Sequence, residues 1–250
     1  MKRTALVTGA SSGIGAATVR ALAGDGLAVI ATARREGRLQ ELAQETGCSF
    51  VAADLTTDDG VRVIADYVHD AGGIDVLVNN AGGALGTDPV AEGKLDEWRR
   101  MFDLNVMSTL ALTQALLPQL REKGGDIVFM LSTAAIGTYP GGAGYAAAKH
   151  AERQIPDTLR LELMGEPVRI IEIEPGMVKT EEFSLNRYHG DAEAAAAVYS
   201  GVEQPLLAED IAEAVRWAVQ LPAYVNIDSM VIRPVAQASN TLVARTGAYN

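Results

Sequence analysis

The stretch TALVTGASSGIGAA, Thr4 to Ala17, decides the fold, because a short apolar run leads through a glycine-rich turn into a helical segment. Glycine loses more conformational entropy on folding than any other residue, so the cluster of Gly9, Gly13 and Gly15 implies that something approaches the backbone closely. Between a strand and a helix, this spacing provides a tight turn, open backbone at a helix N-terminus and close helix–strand packing. That geometry is typical of a pyrophosphate-binding site.

The composition is that of a soluble globular protein. Hydrophobic residues make up 48% of the 250 residues, charged residues make up 21%, and the net charge is −11. The acidic balance argues against a nucleic-acid partner, because such surfaces are built from clustered Lys and Arg. No signal-peptide core or run of about 18 apolar residues occurs, so we expect a cytoplasmic protein without a membrane partner.

The cysteine and histidine residues argue against a disulfide-stabilised protein and against a metalloprotein. Cys48 is the only cysteine, which rules out an intrachain disulfide and is typical of a buried structural thiol. The three histidines, His69, His150 and His189, lack ligand spacing, so we expect no metal site. His150 follows Lys149 directly and is expected to point away from it, as an exposed or interface side chain.

Short β-branched runs alternate with amphipathic segments along the whole chain. This alternation predicts an α/β fold of the Rossmann type, a doubly wound sheet of about seven parallel strands with helices on both faces. No linker or repeat divides residues 1–250, which predicts a single domain. The strand-like runs cover residues 5–8, 28–33, 49–53, 75–79, 126–131, 168–174 and 229–234.

One segment, about 175–205, before the last helix and strand, does not follow this alternation of strand-like runs and helical segments. It contains glycine, acidic pairs and the alanine-rich run AAAAVY but no strand pattern. A segment of this length is typical of a lid or substrate loop carrying short helices, and surface disorder is the alternative. The acidic pairs Asp58–Asp59 and Glu181–Glu182 are interpreted as solvated charges.

The glycine-rich stretch resembles the TGxxxGIG motif of the short-chain dehydrogenase/reductase family. Further landmarks of that family follow in order and extend over essentially the whole chain. They are Asp54–Leu55, NNAG at 79–82, Asn105, Ser132, YAAAK at 145–149 and PGMVKT at 175–180. The stretches NNAGGALG (79–86), EFSLNRYHGD (182–191) and LPAYVNIDSMVIRPVAQAS (221–239) also resemble the NADP-dependent serine and 3-hydroxy acid dehydrogenases of the family.

The turn after the second strand predicts NADP(H) as the cofactor. An acidic residue at this turn would bind the ribose diol of NAD, but the sequence there is ATARR, with Arg34 and Arg35 available for a 2′-phosphate. A solvated pair at the helix start is the alternative. The resemblance implies the remaining cofactor residues. Together the expected set is Gly9, Ser11, Ser12, Gly13, Ile14, Gly15, Arg34, Arg35, Asp54, Leu55, Asn80, Gly82, Tyr145, Lys149, Pro175, Gly176, Val178 and Thr180.

Tyr145 and Lys149 are spaced to lie on one face of a helix. The lysine charge, together with that of an oxidised nicotinamide, would lower the pKa of the phenol from its usual value of about 10. Ser132 ends the apolar run DIVFML, at the sheet edge where ligands bind in such folds, and can hydrogen-bond a substrate oxygen. These three residues predict acid–base chemistry during hydride transfer.

The resemblance adds roles that the residues alone do not establish. It implies that Asn105 holds a water relay behind Lys149, that Lys149 binds the nicotinamide ribose, and that Thr180 contacts the carboxamide or pyrophosphate. Capping or a helix bend is the alternative for Asn105. The resemblance also implies a homotetramer, with a dimer as the alternative, in which helices at about 95–122 and 142–164 form a four-helix bundle.

The resemblance to the serine and 3-hydroxy acid dehydrogenases implies a small 3-hydroxy acid substrate, such as serine, allo-threonine or 3-hydroxypropionate, bound by Ser132, Tyr145 and Arg187. A lone guanidinium suits a carboxylate, and pairing with loop acids is the alternative for Arg187. Pro156 is expected to kink the catalytic helix beyond Lys149. Two other functions stay open: a ketoreductase for an acyl thioester, polyketide-type ketone or aldehyde, and a non-catalytic NADP-binding sensor.

Overall fold

The strands follow from the apolar runs of the sequence. In this computed structural model, which describes residues 2–246, all seven predicted strands are present together with a short extra pair. Their bounds are β1 Thr4–Thr8, β2 Ala28–Ala33, β3 Ser49–Ala52, β4 Val76–Asn79, β5 Gly125–Met130, β6 Val168–Pro175, β7 Val178–Lys179, β8 Leu206–Leu207 and β9 Ser229–Ile232. The main sheet is parallel, with the order β3-β2-β1-β4-β5-β6-β9, and β7 pairs separately with β8.

Helices cover both faces of the sheet. The long helices are α1 Gly13–Gly24, α2 Glu36–Thr46, α3 Asp58–Asp70, α4 Leu95–Phe102, α5 Ser108–Lys123, α6 Ala143–Glu162 and α9 Ala208–Gln220. Two short helices, α7 Phe183–Arg187 and α8 Ala192–Ala197, lie between β7 and β8. A π-helical turn, Asp103–Met107, joins α4 to α5, so the predicted helix at 95–122 is one helical run with a local widening.

Side-chain alternation along the strands builds two hydrophobic cores, because successive residues of a strand point to opposite faces. On β1, Ala5 and Val7 join the core under α1, α2 and α9, whereas Leu6 joins the core under α3 and α5. On β5, Val128 belongs to the first core and Phe129 to the second. The fold is therefore the predicted single doubly wound Rossmann-type domain.

The strand order places the site. The chain runs outward from β1 in one direction to β3, then returns to β4 on the other side of β1. In such sheets the crevice beyond the carboxyl ends of the strands, at this reversal, is where ligands bind. The glycine-rich turn after β1 and the segment after β4 meet at that crevice.

The predicted loop of residues 175–205 is ordered. The segment between β6 and β8, residues 176–205, is called the lid below, and it contains β7, α7 and α8. The short strand β7 is a departure from the sequence pattern, which shows no strand there, because a two-residue pairing with β8 leaves no periodic signal.

Three smaller expectations concern single residues. Cys48 is buried, as predicted. His150 is exposed and its Nδ1 lies 2.8 Å from the carbonyl oxygen of Ala146. Helix α6 continues through Pro156 without a break. Among the helices of residues 2–246, none is both long and apolar enough to span a membrane.

Candidate functional site

The glycine-rich turn has the geometry that its sequence predicts. Gly9 and Gly13 have φ angles of +64° and +53°, a backbone region that side chains disfavour. At Gly15 an added Cβ would lie 2.6 Å from Nδ2 of Asn80 and closer still to the carbonyl oxygen of Gly9. Gly9 and Gly13 thus form the turn, and Gly15 allows α1 to pack against it.

Asn80 holds the turn in place from the end of β4. Its Nδ2 donates to the carbonyl oxygen of Thr8 at 2.8 Å, and its backbone N–H donates to Oγ1 of Thr8 at 2.9 Å. Ser12 precedes α1 with extended backbone, and its side chain makes no capping bond to the helix. The first amides of α1 therefore stay open toward the crevice, where a helix N-terminus favours an anion.

The two predicted phosphate-binding arginines have different surroundings. Arg34 is exposed and its charge helps to keep Asp54 ionised. Burial raises the pKa of Asp54, but hydrogen bonds from Thr56 and the charge of Arg34 outweigh it and hold the pKa below its usual value. Arg35 points instead across the mouth of the crevice, where its Nη2 donates to Oγ of Ser11 at 2.8 Å.

Glu182 of the lid is not the solvated charge that the sequence suggested. Its carboxylate accepts hydrogen bonds from Arg35 at 2.5 and 2.8 Å and from Oγ of Ser12 at 2.9 Å. The Arg35 guanidinium holds the pKa of Glu182 below its usual range. Glu181 also has a partner, Arg38 on α2, at 3.3 Å. The acidic pair therefore joins the lid to the glycine-rich turn and α2.

Ser132, Tyr145 and Lys149 come together, as their spacing predicts. Ser132 follows β5 and caps a short 3₁₀ turn by accepting from the N–H of Ala134 at 3.1 Å. Tyr145 and Lys149 lie on the buried face of α6, 7% and 3% exposed. Nζ of Lys149 donates to the carbonyl oxygen of Met130 at 2.9 Å, which ties α6 to the end of β5.

The electrostatics of Tyr145 combine opposing effects. Burial raises the pKa of Tyr145, whereas the ammonium of Lys149 and the nearby hydroxyl of Ser132 lower it. Burial outweighs the effects that lower it, so the pKa of Tyr145 lies above its usual value. Lys149 thus acts in the predicted direction but does not by itself produce a phenolate.

Asn105 lies in the π-helical turn and is fully buried. Its Nδ2 donates to the carbonyl oxygens of Met101 at 2.7 Å and Gly83 at 2.9 Å, and its Oδ1 accepts from the N–H of Gly83 at 3.1 Å. The side chain therefore fixes the segment after β4. An added Cβ at Gly82 would lie 2.7 Å from Oδ1 of Asn105 and 3.5 Å from Nζ of Lys149, which explains the glycine there.

Arg187 connects the lid to the loop before α6. Its guanidinium donates to the Tyr139 hydroxyl at 3.0 Å and to the carbonyl oxygens of Gly141 at 3.0 Å and Gly86 at 3.3 Å. The guanidinium carbon also lies 5.4 Å from the centroid of the Tyr139 ring. Arg187 thus pairs with neither loop acid, and part of its donor capacity is already used.

Most of the predicted site residues line one cleft of about 990 Å³. Of the predicted site residues, Gly15 and Asn105 alone lie outside its lining, because both support it from behind. The structure adds residues that the sequence patterns did not identify: Tyr139, Phe183, Tyr188, Tyr199, Gln237 and Asn240. The ring of Phe183 meets Tyr145 edge-on at 5.7 Å, a contact with no sequence signal because the two residues belong to separate elements.

Comparisons with known proteins agree with this architecture. The profile of the short chain dehydrogenase family matches residues 3–188. An uncharacterized oxidoreductase of Mycobacterium tuberculosis is 52% identical over 239 residues, covering 95% of this chain and 93% of the relative. Serine 3-dehydrogenase of Agrobacterium fabrum is 42% identical over 241 residues, covering 95% and 96%.

A solved structure, the closed form of a serine dehydrogenase complexed with NADP+, superposes with a TM-score of 0.91. It is 38% identical in sequence and covers 97% of this chain and 99% of that one. The glycine-rich turn, the parallel sheet and the convergence of Ser132, Tyr145 and Lys149 fit the same relationship. The chain is a member of the short-chain dehydrogenase family, oxidoreductases that act on alcohol groups.

Proposed function

We propose that the protein transfers a hydride between NADP(H) and the carbinol carbon of a small 3-hydroxy acid, such as serine, allo-threonine or 3-hydroxypropionate. One observation carries the proposal. Ser132, Tyr145 and Lys149 share a single cleft with the glycine-rich turn and with two arginines at the end of β2. Serine 3-dehydrogenase among the relatives supports the substrate class.

The residues of the cleft fit an NADP cofactor. A Cβ added at Gly13 would meet only the side chain of Thr180, at 3.4 Å, so the backbone there leaves room for a pyrophosphate. The turn directly after β2 carries Arg34 and Arg35, which present cations to a 2′-phosphate where an NAD-binding turn would have a carboxylate. Asp54 and Leu55 border the adenine end of the cleft, and the NADP+ in the related serine dehydrogenase supports the assignment.

In this reaction the bound nicotinamide supplies the hydride acceptor or donor. During oxidation Tyr145, as the phenolate, takes the alcohol proton at its phenolic oxygen, and during reduction the phenol returns that proton to the substrate oxygen. Ser132 donates a hydrogen bond to the substrate oxygen, where negative charge develops. The ammonium of Lys149 acts on Tyr145 in the direction that favours the phenolate, and Lys149 would hold the nicotinamide ribose of the bound cofactor. Asn105 keeps the backbone around Gly83 fixed beneath them.

The lid completes the substrate end. Phe183 covers one edge of Tyr145, and Arg187 lies in the cleft wall beside Tyr139. Because a guanidinium carries five N–H groups, Arg187 retains donors for a substrate carboxylate while it holds Tyr139 and Gly141. Replacing Arg187 with Ala should therefore raise KM for acids more than it lowers kcat, with uncharged ketones less affected.

A second candidate is a ketoreductase for a larger carbonyl substrate. It is favoured by the aromatic side chains of Tyr139, Phe183, Tyr188 and Tyr199 in the wall of the cleft. A substrate panel separates the two. Activity with ketones or aldehydes but not with hydroxy acids would favour this candidate.

The family resemblance supports a homotetramer, which we propose as the oligomeric state. We also propose a cytoplasmic location. Large apolar side chains stand exposed along the helices expected at the interface, among them Leu95 at 67% and Met107 at 50%. At the end of α6, Leu161 is 78% exposed, and the following Met164 is 86% exposed. Sedimentation equilibrium tests this arrangement, and a monomer at micromolar concentration would contradict it.

The decisive experiment follows nicotinamide absorbance with NADP+ and separately NAD+. The substrates are serine, allo-threonine, 3-hydroxypropionate and 3-hydroxyisobutyrate. General acid–base groups contribute about 10²–10⁴-fold to a rate, so Tyr145→Phe should reduce turnover by that factor while cofactor binding persists. Near-normal turnover in the variant would remove Tyr145 from the mechanism. Bound NADPH without turnover of any substrate would favour a non-catalytic sensor.

A further inference from the structure

A buried carboxylate lies directly against Lys149. Glu152, one helical turn further along α6, is 0% exposed, and its Oε2 accepts from Nζ of Lys149 at 2.6 Å. The same Nζ donates to the carbonyl oxygen of Met130 at 2.9 Å. Since an ammonium has three donors, two are held at known positions and one remains for the cleft. Glu152 and Met130 together fix where Lys149 presents its charge.

The pair also changes the charge that Tyr145 experiences. The ammonium of Lys149 lowers the pKa of Tyr145, whereas the carboxylate of Glu152 raises it. Burial raises the pKa of Glu152 to about 7, even though Lys149 acts in the opposite direction. A Lys–Glu ion pair has no net charge, so it favours the phenolate less than a lone ammonium does.

Other charged groups near α6 have partners of their own. On β6, Glu172 faces Arg160 at 2.5 Å, and Glu174 lies 3.7 Å from Arg153. On α4, Glu97 pairs with Lys94 at 3.3 Å. Asp103, in the π-helical turn, is exposed. The remaining titratable group that affects the pKa of Tyr145 is Tyr139, in the loop before α6, which raises it.

We propose that Glu152 is a positioning residue of the active site: by holding and neutralising Lys149, it sets the pH at which Tyr145 exchanges its proton. The proposal rests on the hydride-transfer function above. With Glu152 ionised, the phenolate of Tyr145 is less favourable. When Glu152 takes up a proton, the charge of Lys149 is uncompensated and the phenolate becomes more favourable.

The test uses Glu152→Gln, which keeps the shape and removes the charge, and Glu152→Asp, which shortens the side chain and keeps the charge. The phenolate absorbance of Tyr145 is titrated in each, with the spectrum of the corresponding Tyr145→Phe protein subtracted, with and without NADP+. Glu152→Gln should move the midpoint to lower pH by about one unit or more, the size expected for a nearby charge. The pH profile of kcat/KM for alcohol oxidation should move in the same direction.

Glu152→Asp should keep the midpoint near that of the unchanged protein even if kcat falls, because the charge remains. Glu172→Gln is the matched control, an equally buried glutamate on β6 that does not touch Lys149. A midpoint unmoved by Glu152→Gln, or moved equally by Glu172→Gln, overturns the proposal. If Glu152→Gln does not fold, Glu152→Asp alone decides. A Tyr145 midpoint at lower pH in Glu152→Asp than in the unchanged protein also overturns the proposal. The absorbance titration does not require turnover. A protein inactive on every substrate would refute the proposed function, and the effect of Glu152 on the Tyr145 midpoint could still be measured.

Discussion

Replacing Arg35 with Ala should weaken NADPH binding more than NADH binding. The Arg35 side chain is 45% exposed, so its interaction with a 2′-phosphate is partly screened by solvent. Hydrogen bonds to charged groups contribute about 1.5–3 kcal/mol, and exposed ion pairs contribute about 0.2–1 kcal/mol. Arg35 must also share its donors with Glu182. We therefore expect a loss of about 1–2 kcal/mol, or about 5- to 30-fold in Kd.

The assay is titration of cofactor fluorescence with NADPH and with NADH at fixed ionic strength. Two variants make it specific. Arg38→Ala removes a neighbouring arginine of α2 that pairs with Glu181 but does not line the cleft, and it should not change the NADPH preference. Glu182→Gln disrupts the contact between the lid and Arg35, and it should retain the preference. Equal losses for both cofactors in Arg35→Ala, reproduced by Glu182→Gln, would show that Arg35 acts through the lid and would refute the phosphate assignment.

Two further predictions concern stability. Arg169 donates to both oxygens of Asp126 at 2.6 and 2.8 Å in a buried pair, so Arg169→Met should cost about 3 kcal/mol and lower Tm by about 6–12 °C. Loss of the exposed Arg20 should shift Tm little, and an equal shift in scanning calorimetry would contradict the burial argument. Burial raises the pKa of Glu172 to about 7, so the native state retains this proton to higher pH than the unfolded chain does. The free energy of unfolding should therefore fall as pH rises from about 5 to 7. Glu172→Gln should reduce the dependence of the urea midpoint on pH over this range. An unchanged dependence would show that Glu172 does not titrate there.

Residues that act through local geometry could be predicted from the sequence. The seven strands of the main sheet followed from alternating apolar runs, and the glycine-rich turn followed from the conformational freedom that Gly9 and Gly13 require. Tyr145 and Lys149 are four residues apart on one helix, so their convergence needed only helical periodicity. Ser132 joined them because parallel strands end at the same edge of the sheet.

Contacts between distant segments could not be predicted in the same way. Glu182 meets Arg35 across 147 residues of sequence, and Phe183 meets Tyr145 through the folding of the lid. An acidic pair in a loop has the same local pattern whether it is solvated or bridged. Glu152 was missed for a different reason: its spacing from Lys149 is visible, but i,i+3 pairs of opposite charge are common on exposed helix faces. Its importance depends on burial.

The lid joins the two ends of the cleft through consecutive residues. Glu182 binds Arg35 and Ser12 at the cofactor end, Phe183 covers Tyr145, and Arg187 holds Tyr139 at the substrate end. Because α7 is a single short helix, displacing either end moves the other. Cofactor and substrate should therefore bind cooperatively through the lid, and by linkage each should strengthen the other by the same factor. Variants that loosen the contact between Glu182 and Arg35 are expected to raise KM for the substrate as well as Kd for the cofactor, although both residues lie at the cofactor end of the cleft.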